Sequence, residues 1–370
     1  MKNAIGFDAR MIRHSGIGTY IQEVLGRVTL DDSLDFTLFG ALQNIEKYES
    51  KKVSFESPIY SVKEQLVFPG LLQKHPIDLL HVPHYNIPIA YQKRLIVTVH
   101  DLIHLKFPDS RISYLYARSL FELVCRNAWK IIAISNNTRQ DLIEILKVPE
   151  HKIELIPLGA GITFPDYSKE KIEKNETYCS EVPSDPPSEN FSKKESEPKT
   201  VLYVGNIRAL KNIPMLVNAF LQALPQMPGA QLLLVGHDSM PQYTAQFKQH
   251  PNIRFLGKVS KSRLAQLYRE SKIFAFPSLY EGFGLPPLEA MSWKVPVVCS
   301  NAASLSEVLG DAALTFDPKD VSTLANHLQN LWNNKSLRDD LVAKGLKNVQ
   351  RFSWEDCAKK TVALYRQALS

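Results

Sequence analysis

The sequence predicts an α/β protein built from two doubly wound parallel sheets, and three observations support this prediction. Short β-branched runs alternate with loops and helix-like stretches before residue 165, the same alternation restarts at residue 200, and a polar segment separates the two series. The 370 residues are enough for two cores of ordinary size. We therefore expect one domain over residues 1–165 and a second over 200–352.

The first series contains four strand candidates, and all but the one at 78–85 are β-branched-rich runs followed by a polar loop and a helix-like stretch. They are residues 3–7, DLLHVPHY at 78–85, RLIVTV at 94–99 and WKIIAI at 129–134. This alternation is typical of a parallel sheet whose strands are joined by helices.

The separating segment, residues 166–199, is rich in Pro, Ser, Glu and Lys and almost free of aliphatic residues. It cannot bury enough apolar surface to offset the loss of chain entropy on folding. We predict that it is a flexible linker or insertion.

The second series contains six strand candidates, which predict a second doubly wound domain. They are residues 200–205, 231–236, 253–257, 272–277, 295–300 and 313–317. The closing stretch SWEDCAKKTVALYRQAL predicts an amphipathic helix over residues 353–370, with Ser353 as its N-cap.

Composition excludes several classes of protein. Hydrophobic residues make up 44% of the chain and charged residues 22%, and no apolar run approaches the ~20 residues that span a bilayer. The first ten residues lack the apolar region of a secretory signal. The four cysteines, Cys125, Cys179, Cys299 and Cys357, lie far apart without metal-ligand spacing, which favours a reducing cytoplasm. The net charge of +6 suits phosphate-bearing ligands or anionic lipid, and equally suits no particular partner.

The stretch SLYEGFGLPPLEAM follows a predicted strand and places two glutamates eight residues apart around a glycine turn. We expect Glu281 in the loop and Glu289 in the first helical turn, because Pro286 and Pro287 suit that turn. Glycines and a helix N-terminus favour a phosphate, which leaves the carboxylates to accept hydrogen bonds from sugar and ribose hydroxyls. The pattern indicates a binding site for a nucleoside diphosphate sugar. A helix start with a favourable first-turn glutamate explains Glu289 but not Glu281.

The stretch VGNIRALKN places Arg208 and Lys211 after the first strand of the second domain. Ligands bind at this carboxyl edge in open α/β sheets, so these cations are candidates for neutralising a leaving diphosphate. A solvated lysine at a loop tip is the alternative.

The stretch DARMIRHSGIGTYI has Gly16 and Gly18 just before a helix. Ile21 stands at the third glycine position of a dinucleotide fingerprint, so a nicotinamide enzyme is weakly supported. We expect a glycine loop that lets substrate approach the backbone.

The stretch VTVHDLIHLKFP places His100 and Asp101 at the end of a strand, with His104 one helical turn further. The first two residues are candidates for orienting an acceptor hydroxyl. A satisfied histidine with a capping aspartate remains open, whereas a metal site lacks a further clustered ligand.

Residues 111–130 alternate basic and aromatic side chains with helical spacing. A helical face that rests on an anionic membrane and a buried helix with a solvated basic edge both fit this pattern. The basic residues are Arg111, Arg118, Arg126 and Lys130, and the aromatic ones are Tyr114, Tyr116, Phe121 and Trp129.

Together these segments resemble the retaining glycosyltransferase family 4, whose GT-B fold has two Rossmann-like domains facing across a cleft. The resemblance covers nearly the whole chain apart from residues 166–199, and its most specific element is the E-x7-E motif of Glu281 and Glu289. It implies that the helix at 353–370 packs back on the N-terminal, acceptor-binding domain. It also implies that no divalent metal or other cofactor is needed.

The resemblance implies a role for each matching residue. Lys211 and Arg208 meet the diphosphate, Glu281 contacts the transferred sugar, and His100 lies beside sugar and acceptor; these four form the expected catalytic set. His100 and Asp101 form the expected acceptor site. The expected donor-binding residues are Gly16, Gly18, Asn206, Val259, Gly282, Phe283, Gly284, Leu285 and Glu289. Asn206 stands where the family has an arginine, and that role passes to Arg208.

The implied activity is transfer of a hexose, with mannose from GDP-mannose favoured, to a glycan or a lipid-linked saccharide. The implied setting is cell-surface polysaccharide or lipopolysaccharide biosynthesis in the cytoplasm, with contact to the inner face of the membrane left open and no nucleic-acid partner. Other readings are a transferase that uses a UDP- or dTDP-sugar, a sugar-nucleotide epimerase or hydrolase, and a non-catalytic nucleotide-sugar sensor.

Overall fold

The computed structural model describes residues 3–161 and 199–370, which divide into two compact units. Unit 1 comprises Met1–Gly159 and Phe352–Ser370, and unit 2 comprises Ala160–Arg351. The predicted linker lies outside the described residues except for Lys199.

Unit 1 contains a seven-stranded parallel sheet in the order β3-β2-β1-β4-β5-β6-β7. Its strands are β1 (Asn3–Asp8), β2 (Leu34–Gly40), β3 (Lys51–Ser54), β4 (Leu79–Val82), β5 (Arg94–Val99), β6 (Lys130–Ala133) and β7 (Ile153–Leu155). The sequence analysis predicted β1, β4, β5 and β6 but not β2, β3 or β7, which lie at the two sides of the sheet.

Helices α1 to α6 connect these strands, and the last helix of the chain returns to the same unit. They are α1 (Ile17–Val28), α2 (Leu42–Ile45), α3 (Val62–Lys74), α4 (Ile103–Lys106), α5 (Arg111–Asn127) and α6 (Asn136–Leu146), with 3₁₀ helices at Arg10–Arg13 and Glu150–Lys152.

Unit 2 contains a six-stranded parallel sheet in the order β10-β9-β8-β11-β12-β13, the strand order of a dinucleotide-binding fold. All six strands were predicted. They are β8 (Thr200–Val204), β9 (Gln231–Val235), β10 (Ile253–Gly257), β11 (Ile273–Phe276), β12 (Val297–Ser300) and β13 (Ala313–Phe316).

Within the described part of this unit, residues 199–351 contain seven helices. They are α7 (Ile213–Ala223), α8 (Pro241–Thr244), α9 (Lys261–Arg269), α10 (Leu285–Ser292), α11 (Leu305–Leu309), α12 (Val321–Asn333) and α13 (Lys335–Val349), with 3₁₀ helices at Ala209–Lys211, Leu224–Gln226, Ala245–Phe247 and Gly310–Ala312.

The central strands are buried on both faces, which explains their continuous apolar sequences. Every residue of β11 is buried, as are the last five residues of β5. In each sheet the chain order reverses beside the first strand, between β1 and β4 in unit 1 and between β8 and β11 in unit 2. Ligands of open α/β sheets bind at this point, outside the carboxyl ends of the strands.

The C-terminal helix α14 (Trp354–Leu369) packs against α1 in unit 1. Ser353 caps it by accepting a hydrogen bond from the Asp356 N–H, which confirms the predicted cap. The Tyr365 hydroxyl is hydrogen-bonded to His81 Nδ1 at 2.6 Å inside unit 1. A Cβ atom on Gly159 would lie 2.3 Å from the Trp354 ring, so the start of the helix requires glycine at that position.

Candidate functional residues at the carboxyl edge of each sheet

Lys211 lies at the carboxyl edge of the unit 2 sheet, in the loop that follows β8. A 3₁₀ turn at Ala209–Lys211 places it there, and Asn212, in the left-handed conformation, then starts α7. The Leu279 N–H donates to the Leu210 carbonyl at 2.8 Å, which joins this loop to the one that follows β11. The two loops thus meet at the point where the strand order reverses.

The glutamate loop after β11 brings Glu281 to Lys211. The Lys211 ammonium donates a hydrogen bond to Glu281 Oε1, and the pair is mostly buried. Ser304 Oγ donates to the Glu281 carbonyl at 2.9 Å and fixes the loop from the far side. The Lys211 Nζ atom also lies 5.6 Å from the centre of the Phe276 ring. The two predicted catalytic residues are therefore in direct contact.

Helix α10 begins at Leu285, so Glu289 is its fifth residue and the prediction that it lies in the first turn is wrong. Gly284 is the N-cap with a φ of 102°, and a Cβ atom there would lie 2.6 Å from a Leu305 methyl group. Glycine is needed at this position for both reasons. The left-handed cap starts the helix early and turns Glu289 inward.

Glu289 is buried, and its carboxylate Oε2 accepts a hydrogen bond from the Tyr268 hydroxyl at 2.9 Å. Burial raises the pKa of Glu289 to about 7, although the Tyr268 hydrogen bond acts in the opposite direction. The carboxyl group is thus poised between its two protonation states near neutral pH. It has room for further hydrogen bonds, because a carboxylate accepts about four.

The start of α10 also presents unused backbone donors. Within the described part of the chain, the N–H groups of Gly284 and Leu285 have no acceptor. The next two residues, Pro286 and Pro287, have no N–H group. Two unused donors at a helix N-terminus favour an anionic oxygen, and they follow Glu281, the partner of Lys211, by three and four residues.

The remaining predicted residues of unit 2 surround the same sheet edge. Arg208 is exposed at the tip of the β8 loop. Asn206 Oδ1 accepts from the His237 N–H at 3.3 Å, so this side chain joins the loops after β8 and β9. Val259 is partly buried between β10 and α9. Gly282 and Phe283 are buried in the glutamate loop.

Glycine is needed at the two predicted positions of unit 1 for different structural reasons. Gly16 has a φ of 76° and caps α1, and a Cβ atom there would meet nothing within 4 Å. A Cβ atom on Gly18 would lie 2.6 Å from the Ile12 carbonyl oxygen. Gly18 therefore serves close packing within the protein, and only Gly16 faces open space.

His100 follows β5 and is held as a neutral imidazole. Its Nε2 donates to the Pro83 carbonyl at 3.0 Å, and burial lowers its pKa to about 4. Because a carbonyl oxygen only accepts, Nε2 carries the proton and Nδ1 keeps a lone pair. The ring also contacts Tyr20 edge to face, at 5.1 Å between centroids. At neutral pH His100 is thus a hydrogen-bond acceptor through Nδ1.

Asp101 caps the turn that follows, since its Oδ1 accepts from the Ile103 N–H at 2.9 Å. His104 lies on α4 and its ring contacts Tyr85 at 5.9 Å. No group of three or more His, Cys, Asp or Glu side chains within residues 3–161 and 199–370 has the arrangement of a metal site.

A buried ion network in unit 1 was not predicted from the sequence. Arg10 pairs with Asp8 and with Glu64, at 2.6 Å each, and all three side chains are at most 4% exposed. The guanidinium also lies 4.3 Å from the Phe55 ring centre. Asp8 and Arg10 at the end of the first strand were a visible signal, but Glu64 is 54 residues away.

The predicted basic and aromatic face over residues 111–130 is wrong in part. Helix α5 ends at Asn127, so Trp129 and Lys130 lie beyond it, and Phe121 is fully buried. Arg118 pairs with Glu122 on the same helix. The exposed apolar residues of α5 are Ile112, Leu115 and Tyr116.

Two family models match parts of this chain, and a known protein is similar to it over nearly its whole length. Residues 185–348 match the family model described as Glycosyl transferases group 1, and residues 39–162 match that of Glycosyltransferase Family 4. O-antigen chain mannosyltransferase B of Escherichia coli is 30% identical over 384 residues, which cover 95% of this chain and 96% of that protein.

Solved structures share the fold. Anabaena Alr3699/HepE, crystallised with UDP and glucose, has a TM-score of 0.73 at 19% identity, covering 98% of this chain and 99% of that one. WaaG, a glycosyltransferase involved in lipopolysaccharide biosynthesis, has a TM-score of 0.73 at 14% identity, covering 97% and 99%. At these identities the likeness concerns the fold alone.

Proposed function

The chain belongs to glycosyltransferase family 4 and is a retaining hexosyltransferase of GT-B fold, and on this premise we propose that it transfers mannose from GDP-mannose to a saccharide acceptor. The acceptor is a glycan or lipid-linked saccharide of O-antigen or related surface-polysaccharide synthesis. The name of the Escherichia coli relative supports both the sugar and the setting. The UDP and glucose bound by Alr3699/HepE keep UDP-glucose as the second donor to test.

The contact between Lys211 and Glu281 is the observation that carries the proposal. It joins a fixed positive charge to a carboxylate, three residues from the unused N–H groups of Gly284 and Leu285. A diphosphate placed here meets the cation and the two donors, while Glu281 is left to accept from the hydroxyls of the sugar.

The chemical step in this proposal uses few protein groups. The bond between the anomeric carbon and the diphosphate oxygen breaks, and the acceptor oxygen bonds to that carbon on the same face. The leaving diphosphate keeps the electron pair and takes the acceptor proton. Lys211 stabilises the charge that develops on the leaving oxygen, and one such group typically contributes about 2.7–4 kcal/mol. Arg208 is the second candidate cation.

Glu289 is proposed to hold the ribose of the donor. Two adjacent ribose hydroxyls donate to an ionised carboxylate, and Tyr268 fixes the orientation of that carboxylate through its hydrogen bond at 2.9 Å. Because burial brings the pKa of Glu289 to about 7, donor binding is expected to favour the ionised form and to release a proton.

His100 and Asp101 are proposed to contact the acceptor in unit 1. The Nδ1 lone pair of neutral His100 accepts a hydrogen bond from a hydroxyl group. With its pKa lowered to about 4, His100 does not act as a general acid at neutral pH. This assignment suits retention, in which the leaving phosphate takes the proton.

Nucleoside diphosphate release tests the proposal. GDP-mannose, UDP-glucose, dTDP-rhamnose and ADP-glucose are each incubated with the protein, with and without methyl α-D-mannopyranoside or a glycolipid extract. We expect acceptor-dependent GDP release from GDP-mannose, lost in Glu281→Ala and kept in Glu270→Ala, an exposed glutamate of the same unit. An α-linked product in NMR spectra would establish retention.

The other outcomes identify the rival functions. Equal release without acceptor indicates a hydrolase, and conversion of the sugar without release indicates an epimerase. Binding with no turnover under any condition indicates a nucleotide-sugar sensor. Acceptor-dependent release from another donor replaces mannose and keeps the transferase.

Contact with an anionic membrane surface is the finer part of the same proposal. No helix within residues 3–161 and 199–370 is long and apolar enough to cross a membrane. On α5, however, Ile112 is 81% exposed and Leu115 55% exposed, next to Arg111. Exposed apolar residues beside a cation suit the interface of an anionic bilayer.

Vesicle sedimentation tests this contact. Wild type is expected to pellet with phosphatidylglycerol-containing vesicles, and Ile112→Glu is expected to weaken this binding. Leu42→Glu, an exposed leucine on α2 of the same unit, is the matched control. Equal binding of both variants would remove the contact from the proposal.

A further inference from the structure

Three tyrosines and a histidine from separate elements meet at the carboxyl edge of the unit 1 sheet. The Tyr60 ring lies 5.9 Å from Tyr85 and 6.3 Å from Tyr116, and the Tyr85 ring lies 5.9 Å from His104. Tyr60 precedes α3, Tyr85 follows β4, and Tyr116 lies on α5. We call Tyr60, Tyr85 and Tyr116 the tyrosine cluster. Tyr60 is 44% exposed and Tyr116 47% exposed, so the cluster faces solvent.

The backbone of Tyr60 is held in an unfavourable conformation. Its φ is 66°, in the left-handed region, which costs a residue with a side chain roughly 1–2 kcal/mol. Its N–H donates to Glu64 Oε2 at 2.9 Å. Arg10 and Asn86 hold the same carboxylate, at 2.6 Å each. The buried ion network of unit 1 thus fixes a strained, exposed tyrosine, and such strain concentrates at ligand-binding positions.

Within the Tyr60–Tyr85 pair, the Tyr85 hydroxyl is the one that remains available as a donor. Tyr60 donates to the Tyr85 hydroxyl at 3.0 Å, and Tyr85 retains its own proton for another acceptor. The Tyr85 ring stacks on Phe121 at 4.2 Å, which fixes its plane. Burial, followed by the neighbouring tyrosine of the cluster (Tyr116 for Tyr60, Tyr60 for Tyr85), raises the pKa of both Tyr60 and Tyr85, so both stay protonated.

We propose that the tyrosine cluster binds a pyranose ring of the saccharide acceptor. A pyranose has an apolar C–H face, which packs on an aromatic ring, and a rim of hydroxyls, which bond to phenol and carboxylate oxygens. Asp101 follows β5, the strand next to β4, so its carboxylate lies at the same sheet edge as Tyr85. A pyranose offers both an apolar face and hydroxyl donors, whereas a lipid phosphate offers neither, so the occupant that we assign is a sugar.

This inference rests on the proposed function, because it assigns the acceptor of that transferase. It adds binding residues that neither the E-x7-E motif nor His100 predicts. It also explains why unit 1 maintains the Arg10 network: Glu64 holds the backbone of Tyr60, and Tyr60 positions the hydroxyl of Tyr85.

Substitution of Tyr60 separates binding from folding. Tyr60→Gly removes the ring and also relieves the left-handed backbone, so the melting temperature is expected to stay within about 3 °C of wild type. The KM for methyl α-D-mannopyranoside as acceptor is expected to rise about tenfold, as it is for Tyr116→Ala. Tyr243→Ala, an exposed tyrosine of unit 2, is the matched control and should leave KM unchanged.

Saturation-transfer NMR supplies a readout that does not depend on turnover. Methyl α-D-mannopyranoside is expected to receive saturation at its ring C–H protons from wild type and from Tyr243→Ala, and to lose it with Tyr60→Gly and Tyr116→Ala. Unchanged saturation and unchanged KM in both cluster variants would overturn the inference. A wild type that binds this sugar through the cluster but transfers nothing would instead contradict the proposed function.

Discussion

Both sheets bury a carboxyl group at their carboxyl edges, but the two units balance its charge in different ways. In unit 1, Asp8 and Glu64 share Arg10, so the cation that balances these two carboxylates belongs to the protein itself. In unit 2, Glu289 has a tyrosine hydroxyl and no cation among the described residues, while Glu281 holds Lys211 at a partly open position. We infer that the charges of the Arg10 network stabilise the fold of unit 1, whereas Glu281, Glu289 and Lys211 of unit 2 are available to a ligand.

Protonation follows the same contrast. Burial opposes the ionisation of Asp8, but the charge and hydrogen bonds of Arg10, with smaller contributions from His84, hold the pKa of Asp8 well below its ordinary value. Burial alone dominates at Glu289 and raises its pKa to about 7. A ligand that donates hydrogen bonds to Glu289 therefore stabilises its ionised form, as Arg10 stabilises the ionised form of Asp8 in unit 1.

Substitution of Arg10, the cation of the buried network in unit 1, should have the largest effect on stability. Arg10→Met removes the guanidinium that the buried carboxylates of Asp8 and Glu64 share, and breaking a buried ion pair in this way typically costs about 3–5 kcal/mol. We expect the free energy of unfolding in urea to fall by that amount. The matched variant Lys211→Met removes a pair that is less deeply buried, with side chains 24% and 14% exposed, and should lower the free energy of unfolding by less than Arg10→Met does. Equal losses in the two variants would remove the distinction between the units.

For activity we expect the opposite order, in which substitution of Lys211 in unit 2 has a larger effect than substitution of Arg10. Lys211→Met is expected to lower the rate of nucleoside diphosphate release by about 10²–10³-fold, because the leaving diphosphate loses its counter-charge. Lys335 provides the control, since it is also an ion-paired lysine of unit 2 but lies at an exposed start of α13. Steady-state rates at saturating donor measure the effect. A Lys211→Met enzyme that retains the wild-type rate would leave Arg208 as the required cation.

The smallest of the three effects is a pH dependence of stability at Glu289. Its pKa rises from an ordinary 4.5 to about 7 on folding, so the folded state holds the proton more tightly than the unfolded state. This stabilisation is fully present below pH 4.5 and is lost as pH rises through 7, by at most about 3 kcal/mol. Asp8 acts in the opposite direction, and its contribution is lost only as pH falls below 3.8.

Urea denaturation of wild type and Glu289→Gln between pH 4.5 and 8 measures this dependence. The wild-type free energy of unfolding should fall across that range relative to the variant, because glutamine does not titrate. If the free energies of unfolding of the two proteins change with pH in parallel, Glu289 is ionised across the whole range and the expected pH dependence is wrong.

The E-x7-E motif shows how much of the candidate site is local in sequence. Its spacing, its glycines and the strand before it placed Glu281 and Glu289 on the correct loop and helix. The turn in which Glu289 lies was predicted wrongly, because the helix begins at Leu285, one residue before the two prolines, with Gly284 as its left-handed cap. A motif therefore identifies the segment, whereas the neighbouring elements decide where each side chain points.

The amino-acid sequence by itself determined the alternation of strands and helices, all six strands of unit 2, the cap at Ser353 and the residues that meet at the unit 2 edge. These features depend on periodicity and local turn chemistry, which neighbouring residues carry. Only the tertiary structure decided that Arg10 pairs with Glu64, that Tyr268 bonds to Glu289, and that three tyrosines meet in unit 1. Such partners are far apart in the chain, and the folding of the sheets alone brings them together.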